Sequence, residues 1–168
     1  MKKPVHINIV GEKNSGKTTL IQSLIRELKT FGVSVGTVKH TSHDHEFDIK
    51  GTDSWKHRQA GSQTTVIVSP SKMVCHINEP SKEGINNMIE TVFQDYDLIL
   101  WEGNRNTEND IIECVKNLSE ALFVNDDRVI AVVSENKDIE YSNLFSFDEN
   151  KTLARWLIDK YGLNKHKG

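Results

Sequence analysis

Gly11-Glu12-Lys13-Asn14-Ser15-Gly16-Lys17-Thr18 decides the fold class, because G-x-x-x-x-G-K-[ST] is a phosphate-cradling loop and each fixed position has a mechanical reason. Gly11 permits a sharp exit from a strand. Gly16 lets backbone N–H groups approach phosphate without a Cβ in the way. Those amides open a helix, where unsatisfied donors and the helix dipole attract anions. Lys17 reaches the β and γ phosphates, and the Thr18 hydroxyl is placed to ligate Mg2+. Gly11 through Thr19, with Glu12, Lys13, Asn14 and Ser15 inside the loop, form the candidate nucleotide-binding segment.

The flanks agree with that reading. Val5 to Val10 is short, β-branched and stops at Gly11, as a buried parallel strand does. Leu20, Ile21, Leu24, Ile25 and Leu28 recur at helical spacing and give one apolar stripe. Gly32 ends that helix, and Val33 to Val38 supplies a second strand, closing a β-α-β unit. Further along, a short helix is expected over Ser54 to Ala60, capped by Asp53 or Ser54. A hairpin follows from Thr64 to Val68 and Met73 to Ile77. A helix runs from Ser81 to about Phe93, with strands at Leu98 to Trp101, Ile111 to Val115 and Arg128 to Val133. A last helix spans Asp148 to Tyr161. This order predicts a three-layer α/β domain of the phosphate-loop NTPase type, around a mixed, mostly parallel sheet. The 168 residues suit a single domain over 1–168.

A metal-bound nucleotide needs a second acidic group at the end of a neighbouring strand. Glu102 emerges from the apolar run Leu98-Ile99-Leu100-Trp101 and is followed by Gly103. It is the candidate to orient Mg2+ together with Thr18. Asp97 begins the same strand at the opposite end and reads as a cap.

A second polar cluster follows the second strand. His40, His43, Asp44, His45 and Asp48 stand close in sequence, and loops after strand C-termini form the ligand crevice of parallel α/β sheets. Three readings stay open. Imidazoles and carboxylates could converge on a transition metal. Lys39, His40 and Arg58 could hold a second anionic ligand. The stretch could also be a solvated loop. Asn136-Lys137-Asp138 is close to the guanine-reading pattern Asn-Lys-x-Asp, but its aspartate arrives one residue early, so a polar loop is preferred and base identity does not follow from it.

Composition sets the outer limits. Formal net charge is −3, which argues against nucleic acid or anionic membrane binding over the whole surface. No apolar run approaches a membrane span, and the opening residues do not read as a signal peptide. Cys75 and Cys114 fit no C-x-x-C spacing and read as free thiols. The expectation is a cytoplasmic protein.

Taken together, the phosphate loop, Thr37-Val38-Lys39-His40, the His/Asp stretch, Asp48-Ile49-Lys50-Gly51-Thr52-Asp53-Ser54 with Arg58 and Ala60-Gly61, and Leu100-Trp101-Glu102-Gly103 resemble the MobB family, the molybdopterin-guanine dinucleotide biosynthesis proteins B. The resemblance covers most of the chain in order and spacing. It implies GTP and Mg2+ as ligands, at most weak GTP hydrolysis, and a homodimer. It also implies a partner, the enzyme that attaches GMP to molybdopterin, with molybdopterin itself a further candidate ligand. Carried onto this sequence, Gly11 to Thr19 hold the triphosphate and Thr18 and Glu102 serve Mg2+. Lys39, His40, His43, His45, Asp48, Asp53, Ser54, Arg58 and Arg105 are the candidates for an adjoining pocket. Two positions depart from the family pattern. Thr52 stands where the family has lysine, and Asn104-Arg105 stands where it has Phe-Lys. A metal-delivering GTPase and a small-molecule kinase are the alternatives.

Overall fold

The protein is described here from a computed structural model covering residues 3–41, 46–104, 108–116 and 126–163. In chain order its elements are β1 (Val5–Val10), α1 (Lys17–Thr30), β2 (Val35–Lys39), α2 (Asp53–Gln59), β3 (Thr64–Val68), β4 (Met73–Ile77), α3 (Lys82–Val92), β5 (Leu98–Glu102), β6 (Asp110–Cys114), β7 (Val129–Val133), β8 (Leu144–Phe145) and α4 (Asn150–Tyr161). Where the sequence was read as one domain, the chain divides into two compact units, residues 42–92 and the remainder.

The larger unit holds a six-stranded sheet in the order β2-β5-β1-β6-β7-β8. Each neighbouring pair runs parallel. β1 lies inside it because Ile7, Ile9 and Val10 are all buried, and only a strand covered on both faces can be apolar on both. On one face Leu20, Leu24 and Leu28 of α1 meet Leu153, Leu157 and Ile158 of α4 in a core shared with Ile7, Ile9, Leu100 and Ile112. Each such side chain contributes about 1.5–3 kcal/mol by leaving water. A second cluster gathers Val10, Ile111, Val129, Val132 and Ile139.

The antiparallel component is separate. β3 and β4 form a two-stranded ribbon in the smaller unit, paired from Thr64↔Ile77 to Val68↔Met73. Helix α2 of that unit is capped by Thr52, whose side chain accepts from the Trp55 N–H at 3.3 Å. The cap is therefore neither Asp53 nor Ser54. A Thr hydroxyl placed just before the first helical residue reaches the orphan amides, which a group already inside the helix cannot.

Other differences from the sequence reading are local. β2 starts at Val35, because Ser34 is held by Asp97: its N–H and its hydroxyl both donate to Asp97 Oδ2, at 2.8 and 2.7 Å. Asp97 is thus a clamp between strand starts. β8 was not foreseen, since two residues are too few to show a period. Among the described residues, no helix is long and apolar enough to cross a membrane.

One buried polar side chain sits in the middle of the sheet. Asn8 on β1 is fully buried. Its Nδ2 donates to the Asn104 carbonyl at 3.0 Å, and its Oδ1 accepts from Asn109 Nδ2 at 3.1 Å. It therefore ties the chain leaving β5 to the chain entering β6. Asn8→Ala is expected to lower stability by about 1–3 kcal/mol through the loss of two hydrogen bonds from a buried side chain, measured as a reduced urea midpoint with unchanged slope.

Candidate functional site

The turn from β1 into α1 is built on left-handed backbone. Gly11 has φ +140, Asn14 +62 and Gly16 +94. A Cβ on Gly11 would stand 2.3 Å from the Cys114 carbonyl oxygen, and one on Gly16 would stand 2.6 Å from the Phe147 ring. Both glycines are required by conformation and by space. The loop is thereby pressed against the end of β6 and against the segment after β8.

Helix α1 begins at Lys17 with no side-chain cap and no acidic residue in its first turn. Its opening amides are left for an external acceptor. Lys17 folds back over the loop, donating to the carbonyls of Gly11 at 3.0 Å and Glu12 at 2.6 Å. Ser15 is buried and its hydroxyl has no partner. Lys13 through Thr19, with Lys39 and Glu102, line a cavity of ≈ 530 Å³.

Strand order explains how Glu102 arrives there. β5 pairs with β1 on one side and β2 on the other, with Ile9 and Lys39 both in register with Glu102. The carboxylate therefore emerges beside the loop. The Thr18 hydroxyl donates to Glu102 Oε1 at 2.9 Å, and Lys39 Nζ lies 3.3 Å from the same oxygen. Gly103 carries φ +87, and a Cβ there would meet the His40 carbonyl oxygen at 2.8 Å.

This donor set fits Mg2+. With its proton directed at Glu102, the Thr18 oxygen keeps its lone pairs for a hard cation, and Glu102 supplies charge directly or through water. The uncapped amides and Lys17 fit a polyphosphate in the same way. Such a metal would supply charge neutralisation at the phosphates.

The remaining candidates fall as follows. Lys39 stands in the loop cavity. His40 is exposed, and its N–H donates to the Glu102 carbonyl at 2.8 Å. In the smaller unit, Asp48, Ser54 and Arg58 form a polar knot. Asp48 Oδ1 accepts from the Ser54 and Thr52 hydroxyls at 3.1 and 3.3 Å and from the Ile49 N–H at 2.9 Å. Arg58 Nη1 lies 2.8 Å from Glu46 Oε1 and 3.6 Å from Asp48 Oδ2. Burial works against the Asp48 charge, but the hydrogen bonds from Ser54, Ile49 and Thr52 and the nearby His76 outweigh it and hold its pKa below the ordinary value. The Arg58 hydrogen bond does the same for Glu46. Glu46 was passed over in the sequence, and no spacing rule would have paired it with a residue on α2. The Asp53 side chain is 89% exposed beside Lys56 and takes no part in the knot. His43, Asp44, His45 and Arg105 lie outside the described residues. Asn136 spends its side-chain oxygen on the Asp138 N–H at 2.9 Å, as the polar-loop reading expects.

With this geometry in view, comparison with known proteins is decisive. The family model described as MobB, Molybdopterin guanine dinucleotide synthesis protein B, matches residues 6–135. The chain belongs to the MobB family. It is 35% identical over 97 residues to the molybdopterin-guanine dinucleotide biosynthesis adapter protein of Escherichia coli, covering 56% of this chain and 55% of that one. It is 31% identical over 98 residues to the Haemophilus influenzae protein of the same name, covering 58% and 55%. The chain thus spans about half the length of these curated relatives. A crystal structure of molybdopterin-guanine biosynthesis protein B superposes with a TM-score of 0.75 at 30% identity, covering 93% of this chain and 99% of that chain. Bacillus subtilis MobB, at 22% identity and a TM-score of 0.75 over 97% and 99% of the two chains, shares the fold.

The packing of the loop against β6 has a chemical consequence. Burial pushes the Cys114 thiol up to about 12, against the opposing charge of Lys17, whereas Cys75 is exposed. At about pH 8, iodoacetamide should therefore spare Cys114 until the protein is unfolded. Mass spectrometry of the folded protein reads this directly, and a labelled Cys114 would contradict the packing.

Proposed function

We propose that this MobB-family chain is a GTP- and Mg2+-binding accessory protein of molybdopterin guanine dinucleotide synthesis. Its partner is the enzyme that attaches GMP to molybdopterin. The observation that carries the reading is the pairing of Thr18 with Glu102 at 2.9 Å at the mouth of an uncapped helix. That pairing supports a hard-oxygen metal site beside a phosphate cradle. The guanine base and the pathway are supported by family membership and by relatives named as adapters of that synthesis.

Weak hydrolysis at most is the corollary. Fast hydrolysis of a triphosphate calls for a positioned water and a cation such as an arginine finger. No arginine lines the cavity among the described residues. Arg58 is engaged by Glu46, Arg128 lies 2.5 Å from Asp126, and Arg155 stands over Phe31 at 5.3 Å. The lining supports binding more than turnover.

A homodimer is part of the same proposal. The ribbon of the smaller unit exposes Val66, Val68, Met73 and Val74, at 50%, 74%, 68% and 45%. A lone two-stranded ribbon is marginal in water, and contiguous exposed apolar groups mark an interface. Both ribbon edges suit pairing with a second copy about a two-fold axis.

Titration calorimetry of GTP and ATP, each with and without Mg2+, tests the nucleotide reading. GTP should bind tighter and depend on Mg2+. Lys17→Ala should weaken it by at least about a hundredfold, since a charge-assisted contact to phosphate is lost. Preference for ATP would overturn the reading. Sedimentation should give twice the chain mass of 19.1 kDa, and Val66→Lys with Val68→Lys should return it to the single-chain value.

A further inference from the structure

The phosphate-loop pattern does not account for one cation in the cavity. Lys39 ends β2, and its Nζ lies 3.3 Å from Glu102 Oε1, the oxygen that also accepts from Thr18. The Glu102 side chain is 16% exposed and Lys39 68%. The carboxylate is held, while the ammonium sits on a long, free stem. β5 lies between β1 and β2, so Lys39 stands two strands from the one that carries the loop, roughly 9–10 Å in the pairing direction.

We propose that Lys39 reads the terminal phosphate of the nucleotide. Without ligand it neutralises Glu102. When a triphosphate and Mg2+ bind, it leaves the carboxylate for the outermost phosphate, so it separates triphosphate from diphosphate. The inference rests on the nucleotide reading given above.

Three features point this way. Thr18 and Glu102 would hold the metal, which would neutralise phosphate charge there, and Lys39 already stands at the same carboxylate. A divalent ion at that carboxylate also makes it a poorer partner for an ammonium, because two cations then crowd one anion. The exposed stem of Lys39 can swing without disturbing the β2–β5 register, which runs through backbone. A diphosphate lacks the group that would draw Lys39 away from Glu102.

Lys39→Gln removes the charge, keeps a polar side chain one atom shorter and lies on the surface, so folding is preserved. Calorimetry in Mg2+ should show the variant binding a non-hydrolysable GTP analogue about ten- to a hundredfold more weakly than wild type, the size of one charge-assisted hydrogen bond. GDP should weaken by no more than about twofold, within the worth of an exposed ion pair. Lys39→Arg should restore most of the preference for the triphosphate. Equal weakening of both ligands, or an unchanged ratio, overturns the assignment of Lys39 and leaves the proposed function standing, because wild type still binds. A wild-type protein that binds neither nucleotide removes the proposed function and this inference with it.

Discussion

The first turn of α1 exposes backbone N–H groups that nothing in the helix can satisfy, and no side chain caps them. A helix start of this kind is stable only in water or against an acceptor. The surrounding structure keeps it open. Gly11 and Gly16 hold left-handed backbone that other residues would occupy at a cost. The Cys114 carbonyl and the Phe147 ring fill the space where their side chains would lie. Core side chains from β1, β5 and β6 then fix the strands from which the loop and its neighbours emerge.

Glu102 is the second fixed point. It reaches the loop because β5 inserts between β1 and β2, so a residue 84 positions from Thr18 becomes its hydrogen-bond partner. Asn8 on β1 holds the chain that leaves β5 after Glu102 at Asn104 and again at Asn109 before β6. Glu102, the Thr18 hydroxyl, Lys17 and Lys39 thus line one cavity from three separate stretches of chain, with one positive charge in excess.

Much of this was legible in the residues. The loop pattern, the helical stripe from Leu20 to Leu28 and the apolar run before Glu102 each carry a strong local period or motif, and the elements were found close to where they were expected. Weaker signals misled at the edges. The α2 cap fell to Thr52 because capping depends on one backbone angle, and Asp53, Ser54 and Thr52 are all competent capping residues. Asp53 then turned out to face solvent beside Lys56. Lys39, assigned from the sequence to a second pocket, lies in the phosphate-loop cavity, because the register of β2 with β5 sets its neighbour and no motif encodes register.

The sequence by itself determined the α/β class, the glycine-bounded turn from β1 into α1 and the family, since glycine placement and hydrophobic periodicity act over a few residues and leave their trace in order along the chain. Only the tertiary structure decided which distant groups meet: Thr18 with Glu102, Lys39 with the same oxygen, and Glu46 with Arg58. It also decided that β3 and β4 pair only with each other, in a sheet of their own. Those outcomes follow from strand order and side-chain packing. They are properties of the whole buried core and not of any short stretch within it.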